Sequence, residues 1–184
     1  MTKLSPRARV LTAAAATALA GTAVFGAVSA TASPAAPQAA PVRADVHDKD
    51  LTRSTHLSAA AAERAARATL DAARRDGQKV SVAVVDRNGN TLVTLRGDGA
   101  GPQSYESAVR KAFTAVSWNA PTSDLVKRLD QAPTLKDIPG TLFLAGGVPA
   151  TADGAPVAGI GVAGAPSGAL DEKYAQAGLA ALGR

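Results

Sequence analysis

The chain of 184 residues contains no cysteine. That absence excludes a disulfide scaffold, a zinc–thiolate site, an iron–sulfur cluster, a cysteine nucleophile and a lipid-anchored cysteine. The only methionine is Met1. Aromatic residues make up 3%, so a core must be assembled from Ala, Val and Leu. So few rings also argue against nucleic-acid stacking platforms and aromatic-lined carbohydrate grooves. The only histidines are His47 and His56, and a catalytic triad would need one of them as its base. No serine occupies a nucleophile elbow; Gly164-Ala165-Pro166-Ser167-Gly168 has the wrong spacing. Hydrolase chemistry is therefore disfavoured.

What is present begins with an address. Lys3, Arg7 and Arg9 precede an apolar run from Val10 to Ala30, which ends in small residues suited to cleavage. Residues 1–30 have the layout of a secretory signal peptide. Arg7 and Arg9 are separated by Ala8, so there is no twin-arginine pair, and Sec-type export with a cofactor acquired outside the cell is expected. Removing this segment takes three of the 20 basic residues and none of the 15 acidic ones, lowering the formal net charge from +5 to +2. The basic excess is then largely a targeting signal, and a nucleic-acid partner is not expected. Residues 31–54 are rich in Ala and Pro and then charged, without periodicity, and read as a disordered arm.

Residues 55–184 read as one domain. Ser58 can cap a helix from Ala59 to Asp76, ended by Gly77. Val80–Asp86 and Thr91–Arg96 are β-branched runs around Asn88-Gly89, a strong hairpin signal. A second helix is expected from a Ser104 cap, with a stripe of Tyr105, Val109, Ala112, Phe113 and Val116. A short third helix is expected from Pro121-Thr122-Ser123-Asp124 through Leu129, then a connection from Pro133 to Gly140. Strands are expected at Thr141–Ala145 and Pro156–Ala163, and a last helix at Asp171–Leu182. The order α-β-β-α-α-β-β-α predicts an α+β fold, an antiparallel sheet flanked by helices.

Gly159-Ile160-Gly161-Val162-Ala163-Gly164 matches a dinucleotide-binding fingerprint in letters but lies inside a strand, with too little chain after it for a βαβ unit. Tightly packed strand glycines are the better reading. The Gly97–Pro102 loop lacks a following P-loop lysine and reads as a plain loop. Of the conventional haem-ligand types, only His47, His56, Tyr105 and Tyr174 lie beyond the signal segment. His47 sits among Asp45, Asp48 and Asp50, as in a solvated charge cluster. On spacing alone His56 is an ordinary surface histidine at the domain edge.

Five segments occur in a familiar order: Val82 to Gly89, Arg96 to Ala100, Lys111 to Ala115, Leu142 to Pro149 and Gly159 to Ala165. Together they resemble the GlcG/HbpS family, which includes the C-terminal domain of PduO-type proteins, across residues 55–184. The resemblance implies an antiparallel sheet flanked by helices, layered like a profilin or PAS domain. It implies a homo-octamer that binds b-type haem reversibly and acts as an accessory sensor for a membrane histidine kinase of a two-component system, under haem, iron or oxidative stress. It marks His56 as the haem-linked histidine and Thr141 as the residue at the iron; Arg110, Phe143 and Leu144 are candidate neighbours of haem on their place in the chain, not on the resemblance. Acidic pairs at i, i+3 take surface iron in HbpS-type chains. Here each is halved: Glu106 faces Val109, and Glu172 follows Ala169. The resemblance also leaves open an extracytoplasmic haem-degrading or small-molecule enzyme of the GlcG type. No acid–base pair is evident to serve one.

Overall fold

The computed structural model describes residues 45–183. The signal segment and residues 31–44 of the arm lie outside the described residues. Helix α1 spans Ala59–Arg75, β1 Ser81–Asp86, β2 Thr91–Arg96, α2 Pro102–Trp118, α3 Thr122–Lys127, β3 Gly147–Ala152, β4 Ala155–Ala163 and α4 Gly168–Ala180. The sheet is antiparallel throughout, in the order β2-β1-β4-β3. This is the α+β fold and the element order expected from the sequence.

Alternation along the two central strands sorts the core into layers. Val82 and Val84 of β1, with Ala158, Ile160 and Val162 of β4, face α1 and α4, where Ala62, Ala65, Ala66, Leu70, Tyr174 and Ala175 close the larger core. Ala83 and Val85 face the other way, onto Ala108, Ala112 and Val116 of α2. Gly159 and Gly161 share that second face. A Cβ at either would collide with the carbonyl oxygen of Ala112 or Ala108 respectively. The fingerprint-like glycines are thus where the backbones of α2 and β4 meet closely.

Three local expectations need correction. Thr141–Ala145 is not a strand: its amides bond within turns or to a side chain, Thr141 N to Ile138 O, Leu142 N to Thr114 Oγ1 and Leu144 N to Leu142 O. The third strand instead begins at Gly147, and Pro149 is tolerated in it because β3 is a sheet edge. Ser104 is not the α2 cap. The helix starts at Pro102 behind Gly101, and the Ser104 hydroxyl donates back to Gly101 O at 2.6 Å. Finally, α4 starts at Gly168, capped by Ser167, whose Oγ accepts from Leu170 N. Ser58 does cap α1, accepting from Ala61 N at 3.3 Å.

Candidate functional site

His56 lies on the approach to α1 and is exposed. Its Nε2 is 2.7 Å from Ser54 Oγ. Nδ1 has no partner among the described residues. One ring nitrogen is thus steered by a hydroxyl while the other faces solvent, an arrangement that suits an imidazole ligand. His56 also adds electrostatically to the field at Asp86. Burial would push the Asp86 carboxyl up, but hydrogen bonds from Asn90 and Asn88, with the charge of His56, hold it below the usual value. Asp86 closes the β1–β2 turn, so His56 stands at that end of β1.

Thr141 follows Gly140, whose φ of 80° suits glycine. Helix α2 holds this segment at two points: Arg110 Nη2 donates to Thr141 O and Leu142 N donates to Thr114 Oγ1, each at 2.8 Å. The Thr141 hydroxyl donates to Ile138 O at 2.8 Å, leaving its lone pairs free. Yet Thr141 is only 1% exposed. Phe113 links the two regions. A Cβ built at Gly89 in the hairpin turn would sit 2.7 Å from its ring, and one at Gly140 would sit 3.6 Å away. The hairpin turn beside His56 and the Gly140–Thr141 segment therefore flank one aromatic ring.

The other expected residues divide. Phe143 is buried, edge-on to Trp118 with ring centroids 5.2 Å apart, so it props the interior. Leu144, next along the chain, is 54% exposed. The second guanidinium nitrogen of Arg110 lies 3.9 Å from exposed Glu106. Glu172 does not stand at the surface as expected. It is 8% exposed, one oxygen accepting from Ser123 Oγ at 2.6 Å, the other from Ser123 N and Gly146 N. It is buried because it ties α4 to α3 and to the turn before β3. Among the described residues no group of three or more His, Asp or Glu is placed to hold a metal. Tyr174 is enclosed too, its hydroxyl donating to Asp76 at 3.0 Å. Tyr105 is about half exposed, and its oxygen accepts from Thr94.

Sequence reasoning missed a buried ion pair. Lys111 Nζ lies 2.8 Å from Asp171 Oδ2 and 3.0 Å from Val162 O, with both side chains 5% exposed. Burial pushes the Asp171 carboxyl above its usual value against the pull of Lys111 and of a bond from Ala165 N. The available signal was a lysine among Ala108, Ala112 and Ala115 on one helical face.

A family model described as haem degrading protein, HbpS-like, matches residues 57–180. The chain belongs to the HbpS-like family. A crystal structure of HbpS is 76% identical to this HbpS-like chain, with a TM-score of 0.76, covering 77% of this chain and 100% of that one. A Streptomyces reticuli HbpS double mutant with two glutamates changed to aspartates is also 76% identical, with a TM-score of 0.75, covering 80% and 100%. A PduOC:heme complex is 28% identical, with a TM-score of 0.64, covering 69% and 95%. No curated protein sequence matches the chain.

Proposed function

We propose that this chain is a secreted haem-binding accessory protein that senses haem or redox stress and signals through a membrane histidine kinase. Membership of a family described as haem-degrading and HbpS-like carries the haem reading. The haem complex of PduOC on the same fold supports it. Secretion rests on the N-terminal charge and hydropathy pattern. The kinase partner, the homo-octamer and surface iron rest on the resemblance alone.

The residues fit haem unequally. His56 is exposed, and its ring is steered by Ser54, so an imidazole nitrogen is available to an iron. Thr141 has the right chemistry, since its hydroxyl donates a hydrogen bond to Ile138 O and keeps lone pairs on its oxygen. It is a weak neutral ligand, and it becomes accessible only if the Gly140–Leu144 segment shifts. Arg110 and Thr114 set where that segment rests. Bound haem would supply redox-active iron, and with few rings nearby to hold a porphyrin, exchangeable binding is expected. Titration with hemin tests the proposal. A saturable Soret shift, weakened in His56→Ala and altered in Thr141→Ala, is expected, and no shift in the intact protein refutes it.

The family description favours one second reading, haem degradation. Incubating the haem complex with ascorbate or peroxide and measuring free iron distinguishes the two. Catalytic turnover supports the enzyme, and stable haem supports the sensor.

A further inference from the structure

A cleft of about 470 Å³ opens beside the buried ion pair. Its walls include Val126 of α3, Leu144 and Ala145 ahead of β3, and Ala165 and Pro166 after β4. That volume and apolar lining are typical of small-molecule sites. The cleft lies toward the Ala163 end of β4, which pairs with Ser81, whereas His56 stands at the Asp86 end of β1. Those ends are roughly 17 Å apart along the strand. His56, Thr141 and Arg110 do not line it; of the residues named for haem, Leu144 alone does.

Its polar groups have donors to spare. The Lys111 ammonium carries three N–H bonds. Asp171 and Val162 O accept two of them, and the third has no acceptor among the described residues, although the side chain is 5% exposed and lines the cleft. Asp171 balances the charge of the ammonium, so what the cleft is offered is this one spare N–H. The nearby acids are already engaged: Asp171 accepts from Lys111 and Ala165 N, and Glu172 from Ser123 and Gly146 N. Asp171 lies in the first turn of the 13-residue α4, so the ammonium sits against that helix end. There Gly168 and Ala169, the first two residues of α4, line the same cleft, and amides in a helix's first turn have no partner within the helix. A spare ammonium N–H, the first turn of α4 and hydrocarbon walls together match an anionic head on a short apolar body.

We propose that this cleft binds a small organic monocarboxylate, its carboxylate between Lys111 and the start of α4, its hydrocarbon part against Val126, Leu144 and Ala145. The apolar walls disfavour a bare inorganic anion.

Hexanoate is a suitable probe, with hexanamide and inorganic phosphate as comparisons, followed by calorimetry and by amide chemical shifts of the full protein. Saturable hexanoate binding is expected, with shifts at Gly168 and Ala169 and at least tenfold weaker binding of hexanamide and phosphate. Ala169→Trp fills the cleft from an exposed helix position and should abolish hexanoate binding while leaving the hemin titration unchanged. Lys111→Met should abolish it as well; where that variant fails to fold, Ala169→Trp decides. The proposal is overturned by absent hexanoate binding in the folded protein, by equal binding of hexanamide or phosphate, by unchanged binding in Ala169→Trp, or by displacement of hexanoate by hemin.

Discussion

At the scale of single residues, Asp86 and Lys111 show two ways of keeping a charge inside a small-grained core. Asp86 is wrapped by Asn88 and Asn90, which hold its pKa below the usual value of about 3.9. Its contribution to stability is therefore present above that value and lost as pH falls through the lower folded pKa. Asp86→Asn should lower stability at pH 7 by about 1 kcal/mol and leave a shallower acid limb. Urea midpoints at pH 7 and pH 3 measure this; a variant whose midpoint falls as steeply as the parent's would contradict it. Lys111 is different because its partner is also buried. Lys111→Met leaves Asp171 unpaired and should cost about 3–5 kcal/mol, whereas adding Asp171→Leu should restore most of the loss. Denaturant titration of the single and double variants decides, and equal instability of both would speak against the pair as the cause.

At the scale of elements, the contact between α2 and β4 is a tight constraint. Gly161 leaves no room for a methyl group against the Ala108 carbonyl. Gly161→Ala should lose about 1–3 kcal/mol or more, visible as a lower thermal midpoint, whereas Gly183→Ala, with open space around it, should be nearly neutral. The hairpin was legible because Asn88-Gly89 stands between two β-branched runs, and α1 because Ser58 and Gly77 mark its ends. The strand expected at Thr141–Ala145 failed for a physical reason. The run is apolar and reads as buried, but Thr114 and Arg110, distant in sequence, capture its backbone groups. The same contacts hid part of the candidate site. Composition narrowed the ligand types to His47, His56, Tyr105 and Tyr174, and only the family resemblance pointed to His56 among them. The burial of Thr141 and the engagement of Glu172 by Ser123 depend on tertiary neighbours that no local pattern announces.

At the scale of the whole molecule, helices cover both faces of a sheet built mostly from small residues. That economy of rings bears on the ligand: a porphyrin meets few aromatic partners within one subunit. We propose on that ground that haem is held loosely, or in a pocket that a neighbouring copy completes. The octamer proposed from the resemblance predicts a native mass near eight times that of the processed chain, at a protein concentration where dissociation is negligible. A monomer under those conditions would remove that part of the account. We propose that His56 brings haem to this fold, and hemin titration of the parent protein beside His56→Ala tests this at the residue itself. A saturable Soret change is expected in the parent, with at least tenfold weaker binding in the variant. Equal binding by both, or no Soret change in either, would contradict it.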